Sequence, residues 1–248
     1  LIQNCQVQHA VVGITFLNSG GSVTGCSISK DAENNSFTGE AGVVIEGESS
    51  PVIDGLNISN YNAGIVIQNT DGANCNPTIS HVFLQVPPGQ DRSAGTGISV
   101  MGNVALNLDE VEIAEYDTGI DYDAVPALEE RNTALLTNIR VRNSSTSSRS
   151  VNTALKLTNV GLVQASFLEL TGYPMGLQIQ NPDLVNAANT LLDNIQIEGE
   201  TSEETPHNAD TGIKIGANVA LTANNVIIND YQVGIDFIAD NQNLSRNT

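Results

Sequence analysis

The sequence is poor in aromatic residues and in positive charge. Among its 248 residues there is no tryptophan, and Phe, Tyr and Trp together make up 4%. So few aromatic side chains leave little material for platforms that stack on bases or sugar rings, which argues against a strong glycan lectin. Lys and Arg number 9 against 28 Asp and Glu, a formal charge of −19, so nucleic acid is excluded as a partner.

Long apolar runs are also missing. No stretch approaches the roughly 18–20 apolar residues of a membrane-spanning helix, so we expect no membrane span. The residues after Leu1 do not resemble an export signal. We therefore expect that the sequence is a processed product or a fragment, and that any export signal has been removed or lies outside this piece. With 40% hydrophobic and 15% charged residues, the chain has enough apolar material to fold around a core.

Cysteine and histidine are too few and too dispersed for a zinc site or a catalytic triad. The histidines are His9, His81 and His207. Cys5 and Cys26 fall at equivalent positions of consecutive repeats, where they are predicted to pack side by side, either as thiols or as a disulfide. Cys75 lies in an insertion and is left over, so the three cysteines do not form a metal-ligand spacing.

One short motif, a small residue followed by alternating apolar positions, occurs nine times along the chain. The motif begins at Gly13, Gly42, Gly64, Gly97, Gly119, Ala154, Gly176, Gly212 and Gly234. Spacings of 22 residues alternate with spacings of 29–36 residues. Each copy predicts a short β-strand with one apolar face.

Every repeat also contains a second pair of apolar residues, two positions apart. When the repeats are aligned, these residues form two columns of equivalent positions. The first column is Cys5, Cys26, Leu56, Val82, Val111, Ile139, Leu168, Ile195 and Val226, and the second is Val7, Ile28, Ile58, Leu84, Ile113, Val141, Leu170, Ile197 and Ile228. A residue that tolerates positive φ precedes the first column in most repeats, with His81, Glu110 and Phe167 as exceptions, which predicts a recurring left-handed bend. Tyrosines recur three residues after the second column, at Tyr61, Tyr116, Tyr173 and Tyr231.

A 22-residue unit of this kind cannot bury its apolar face alone, but stacked units can. The sequence therefore predicts an all-β fold in one domain spanning 1–248, a single-stranded parallel β-helix (solenoid) of about nine coils. Coils of 22 residues would alternate with coils of 29–36 residues. An antiparallel sandwich fits less well because it requires turn signals every 8 to 12 residues.

The pattern resembles the pectin lyase-like right-handed β-helix superfamily, whose coils have a tight Asn-bearing turn between two sheets. This resemblance covers the whole chain, and the right-handedness is implied by it alone. It indicates architecture rather than activity, because the superfamily includes pectate lyases, polygalacturonases, phage tailspikes, epimerases and noncatalytic adhesins.

Three residues are candidates for catalysis under this resemblance. Asp71, within the segment 69–72, resembles the first polygalacturonase motif, but no Asp-Asp pair, Gly-His-Gly or Arg-Ile-Lys accompanies it, and glycoside hydrolysis needs paired carboxylates. Arg140 and Arg142 resemble a carboxylate clamp or the arginine base of pectate lyases. The alternative is ion pairing between coils, which predicts Arg140 beside Glu112 and Glu169. The same alignment places Asp121 beside Lys156 and Lys214 beside Asp236.

The long repeats insert polar loops that are predicted to form two rows along the rod. One row comprises 123–133, 181–190 and 239–248, and the other 31–40, 86–96, 143–153 and 198–210. The densest acidic cluster is Glu198, Glu200, Glu203, Glu204 and Asp210. This cluster is either a weak binding site for Ca²⁺ or a solvated loop. Ca²⁺ is the one cofactor that we consider. N-glycosylation sequons begin at Asn34, Asn57, Asn143 and Asn243.

The two ends of the chain are in phase with the repeat. Residues 234–248 align with 119–133 without a gap, and Leu1 aligns with Leu135. No polar cap is visible, so we expect either flanking coils of the same chain or head-to-tail self-association. The expected function is an extracellular or cell-surface structural rod, such as a stalk, adhesin, sheath or filament building block, that contacts proteins or glycans through its loops. The alternative is a polysaccharide lyase or hydrolase.

Overall fold

The structure of the chain is a computed structural model that describes residues 1–30, 40–70, 74–86, 95–125, 132–144, 152–183, 187–199 and 209–238. Within these ranges the chain forms β-strands and turns without a helix. Accordingly, the described part holds no helix of the length and apolarity that crossing a bilayer requires. The predicted all-β class is confirmed.

Two parallel sheets, sheet 1 and sheet 2, contain all the strands of the described residues. Strands are numbered in chain order. Sheet 1 consists of β1 (Ile2–Gln3), β2 (Gln6–Gln8), β4 (Gly20–Thr24), β5 (Ser27–Ser29), β7 (Ser50–Asp54), β8 (Asn57–Ser59), β10 (Thr78–Gln85), β12 (Ala105–Ala114), β14 (Thr133–Arg142), β16 (Leu162–Thr171), β18 (Ala188–Glu198) and β20 (Val219–Asn229). Sheet 2 consists of β3 (Val12–Leu17), β6 (Ala41–Glu46), β9 (Ala63–Asn69), β11 (Thr96–Gly102), β13 (Thr118–Asp123), β15 (Thr153–Thr158), β17 (Met175–Gln180), β19 (Ala209–Ile215) and β21 (Tyr231–Phe237).

The chain alternates between the sheets, and each strand pairs in parallel with its counterparts in the preceding and following repeats. For example, β14 pairs with β12 on one side and with β16 on the other. A parallel pair cannot be joined by a tight hairpin, so the passage through the other sheet supplies the required crossover. This arrangement is consistent with a parallel β-solenoid.

The predicted apolar columns form the core. Val111, Ile139 and Leu168 are register partners on three consecutive strands, and the second column pairs from Val7 to Ile228 without interruption. Side chains in the middle of both columns are almost completely buried. Because side chains alternate along a strand, the intervening residues face outward.

Small residues at the start of each sheet 2 strand are required by packing between repeats. A Cβ added at Gly42 would lie 2.4 Å from Cγ2 of Ile58 and 2.8 Å from the carbonyl oxygen of Gly64. Ile58 belongs to the second column of the next repeat. The recurring Gly therefore lets sheet 2 approach the core column that follows it.

The left-handed bend occurs in all nine repeats. Its residues, Asn4, Gly25, Gly55, His81, Glu110, Asn138, Phe167, Asn194 and Asn225, have φ between 49° and 64°. The predicted exceptions are therefore exceptions in residue type only, because His81, Glu110 and Phe167 adopt the same conformation as the Asn and Gly residues. Neighbouring repeats fix this backbone geometry through parallel pairing on both sides of the bend.

Cysteine placement agrees with the prediction at all three positions. The N–H of Cys5 donates to Sγ of Cys26 at 3.1 Å, so these residues lie side by side, and both are free thiols. Cys75 is left over as a free thiol, as predicted, and it is buried, which raises the pKa of the thiol. It lies in the approach to β10, outside the columns that the repeat defines.

Candidate functional site

The outer face of sheet 1 bears a ladder of ion pairs. Arg140 lies between Glu112 and Glu169 in the strand register, as predicted. Nε of Arg140 lies 2.8 Å from a carboxylate oxygen of Glu169, and this hydrogen bond, with the carboxylate charge, raises the pKa of the guanidinium. Nη2 of Arg142 lies 2.7 Å from Glu112, one strand back and diagonally displaced. Both guanidinium groups are therefore engaged by carboxylates.

Sheet 2 bears the second predicted charge ladder. Nζ of Lys156 lies 3.1 Å from a carboxylate oxygen of its register partner Asp121. Lys214 and Asp236 are also register partners. The outward residues of earlier strands are less polar, and Val44 and Val66 form the floor of a shallow groove of about 580 Å³. The oppositely charged register partners of sheet 2 thus lie on its later strands.

His81 joins three repeats at the bend. Its Nδ1 lies 2.7 Å from Asp54 in the preceding repeat, and its Nε2 lies 3.2 Å from Glu110 in the following one. The Asp54 contact and the Glu110 charge raise the pKa of His81, and the same contact lowers the pKa of Asp54. A protonated imidazole therefore fits this position.

Beside these ion pairs lies a surface groove of about 510 Å³. Phe167, Asn138, Asn194, Glu110, Arg140 and Gln196 are among its lining residues. The Phe167 side chain is 57% exposed, although its backbone has φ of 56°. The prediction noted Phe167 only as an exception in the bend, and that departure from the Asn and Gly pattern was the sequence signal for this surface.

Several predicted site residues fall outside the described ranges. Asp71, Glu200, Glu203 and Glu204 lie there, as do most residues of the predicted loop rows. Glu198 is half-buried at the end of β18, and Asp210 is exposed near the start of β19. In the part of the chain that is described, no three His, Cys, Asp or Glu side chains converge as metal ligands. Calcium binding at this cluster stays a prediction.

The two sequons within the described ranges differ in accessibility. Asn57 is exposed on the outer face of β8. Asn143 is buried, and its side-chain N–H donates to the carbonyl of Tyr116 at 3.1 Å. A glycan at Asn143 would break this hydrogen bond, so Asn57 is the acceptor of the two that the fold permits.

The last described repeat leaves core positions open. In the sheet 2 columns, Ile235 is 47% and Phe237 is 57% exposed, whereas their register partners Ile213 and Ile215 are 1% and 0% exposed. An added Cβ at Gly234 would meet nothing within 4 Å. Among the described residues, no strand pairs with β20 or β21 on the far side. We call this surface the β21 end face.

Besides the groove on sheet 2, the geometry offers the ion-paired outer face of sheet 1, the groove at Phe167, and the β21 end face. The arginines of the first surface are paired with glutamates, and the last surface exposes Ile235 and Phe237. Compared with known proteins, the chain matches no family model, no curated protein and no solved structure.

Proposed function

We propose that this chain is a structural β-helix of extracellular or cell-surface material, the building block of a stalk, sheath, filament or adhesin. The observation that supports the proposal is the exposure of Ile235 and Phe237 in columns whose other members are buried. An apolar surface bordered by unpaired strand backbone favours addition of another strand pair. The β21 end face therefore associates with a further repeat.

The proposal includes a finer architecture than two parallel sheets. In it the chain winds as a right-handed solenoid of nine coils, as the resemblance to the pectin lyase-like superfamily implies. The regular alternation of sheet 1 and sheet 2 strands supports the winding, and the bend before the first apolar column supports the resemblance.

The occupant of the end face is either flanking coils of the same chain or a second copy bound head to tail. Gly234 is compatible with a repeat added on this face, because the equivalent glycines lie against the repeat that follows them. A second copy would make a heterologous contact, which repeats without closing and produces a filament. The loop rows would then lie along the filament and contact proteins or glycans. The proposal also includes Ca²⁺ bound near Glu198.

The lyase or hydrolase alternative receives less support. Arg140 and Arg142 each contact a glutamate, and a formal charge of −19 opposes binding of a polyuronate. We therefore expect purified protein to release no unsaturated products from polygalacturonate, with or without Ca²⁺. If wild-type protein cleaved polygalacturonate and the Arg140→Gln variant did not, the chain would be an enzyme instead.

Sedimentation velocity tests the structural proposal directly. Wild-type protein should gain mass as its concentration rises, whereas an Ile235→Lys, Phe237→Lys double variant should stay monomeric. Met101→Lys is the matched control, because Met101 is an exposed apolar residue on the outer face of sheet 2, away from the end. Monomers at every concentration, or association unaffected by the double variant, would contradict head-to-tail assembly. Repetition with a chelator tests the calcium component.

A further inference from the structure

Phe167 combines two unfavourable properties at one position. Its backbone lies in the left-handed region, which bulky side chains occupy rarely, and its ring is 57% exposed. Six of the nine bend residues are Asn or Gly, which tolerate this conformation. Neither core packing nor backbone preference accounts for a phenylalanine here. Strained residues of this kind are concentrated at functional sites.

The ring interrupts a ladder of oriented amides. On the preceding strand, Nδ2 of Asn138 donates to Asp109 at 3.2 Å. On the following strand, Nδ2 of Asn194 donates to Asp193 at 3.0 Å, and Asn225 donates to Oδ1 of Asn194 at 3.3 Å. Phe167 therefore presents an apolar face between two fixed polar groups, over roughly 10 Å along the stack.

The charges around the groove are already paired. Glu169 contacts Arg140, Glu112 contacts Arg142, and Glu110 contacts His81. A charged ligand would have to displace one of these partners. An uncharged ligand that both donates and accepts hydrogen bonds would instead find amides, carboxylates and a guanidinium already oriented.

We propose that this groove binds an uncharged oligosaccharide, with one sugar ring stacked on Phe167. The polarised C–H groups of a sugar face complement the negative face of an aromatic ring. Its hydroxyl groups would bond the side chains of Asn138, Asn194 and Gln196. A peptide fits less well, because the backbone of β16 is already paired with β14 and β18 and cannot accept an added strand.

This site lies on the outer face of sheet 1, and its lining does not include Ile235 or Phe237 of the β21 end face. It does not require head-to-tail association. Loss of sugar binding would therefore leave the structural proposal intact, and a monomeric protein could still bind sugar.

Phe167→Asn separates binding from stability. Asn suits the left-handed bend, so this variant should unfold at a higher temperature than wild type. It should nevertheless bind sugar at least about tenfold more weakly, because the stacking face is gone. Val52→Asn is the matched control, since Val52 is an exposed apolar residue on the same outer face several strands away, and its sugar binding should equal that of wild type.

The probes are cellohexaose, mannohexaose, laminarihexaose and N-acetylchitohexaose, with hexagalacturonate and hexalysine as charged comparators, each titrated and followed by saturation-transfer NMR. At least one neutral hexamer should bind wild type, and its sugar protons should receive saturation from the protein that Phe167→Asn reduces. The proposal is overturned if no neutral hexamer binds with Kd below about 10 mM. Tighter binding of either charged probe, or equal binding by Phe167→Asn, would also overturn it.

Discussion

The hydroxyl of Tyr173 donates a 2.9 Å hydrogen bond to the backbone carbonyl of Tyr116, two repeats earlier. The same relation links Tyr231 to Tyr173 at 2.9 Å and Tyr61 to Ala10 at 3.1 Å. Burial raises the pKa of the Tyr173 and Tyr231 hydroxyls, so both stay protonated donors near neutral pH. The hydroxyls of Tyr61, Tyr173 and Tyr231 therefore join repeats that do not share a strand pair.

Replacing Tyr173 by Phe should lower the free energy of unfolding by about 1 kcal/mol, because one buried hydrogen bond is lost while the ring remains. Urea denaturation measures this loss. Tyr231→Phe is the comparison, since its hydrogen bond has the same length but its side chain is only half-buried. We expect a smaller loss there, and a larger effect at Tyr231 than at Tyr173 would contradict this view of the tyrosines.

Replacing Gly42 by Ala should destabilise the chain by about 1–3 kcal/mol, because the new Cβ would overlap Ile58 and the Gly64 carbonyl. Thermal unfolding at low protein concentration measures the effect. Gly234→Ala, where the space is open, should leave the unfolding temperature unchanged in the monomer but weaken association at high concentration. Equal destabilisation by both variants would show that packing between repeats does not select these glycines.

Much of the fold could be predicted from the sequence, because every repeat must bury the same apolar columns against its neighbours. A fixed spacing places Glu112, Arg140 and Glu169 on one line whatever their rotamers. The prediction could not specify that Arg142 reaches diagonally to Glu112, because that contact depends on side-chain torsions. The burial of Cys75 could not be predicted, because this residue lies outside the repeating columns.

The ion-paired face was predicted from the regular repeat, whereas the groove at Phe167 has a sequence signal only where a residue interrupts the repeat. Phe167 departs from the residue types of the bend, and that departure was visible in the aligned column. The His81 contacts were not predicted, because they require knowing that the bend directs one imidazole toward both Asp54 and Glu110. Recurrence specifies the backbone of a solenoid but not the partners of its exposed side chains.

Replacing His81 by Gln should reduce stability mainly in mildly acidic solution. The pKa of His81 is raised by Asp54, with smaller effects from Glu110 and Asp109, so its stabilisation is complete below its ordinary value of 6.5 and disappears as pH rises through the folded value. The pKa of Asp54 is lowered, so its stabilisation holds above 3.8 and disappears as pH falls through the folded value.

The difference in unfolding temperature between wild type and His81→Gln should therefore be largest between pH 3.8 and 6.5. Thermal unfolding followed by circular dichroism across pH 3 to 9 measures it. Asp54→Asn is the companion variant, because it removes the 2.7 Å contact with His81, and its effect should be largest in the same pH window. A His81→Gln effect that grows above neutral pH would contradict the assigned contacts.

Replacing Arg140 by Gln should change the free energy of unfolding by less than about 1 kcal/mol, because the pair with Glu169 is exposed and screened by solvent. Chemical denaturation at low and high salt measures the change, which should shrink as salt is added. A salt-independent loss several times larger would mean that the guanidinium contributes mainly by packing.

The most direct test of the account is the length distribution of particles in electron micrographs of dilute and concentrated protein. One chain should form a rod of roughly 40 Å along its axis, as nine strands at the parallel-sheet spacing require. Concentrated wild type should give lengths that increase in steps of one rod at constant width, and the Ile235→Lys, Phe237→Lys variant should remain single rods. Compact particles of one size at every concentration would contradict end-to-end association of a stacked-repeat solenoid.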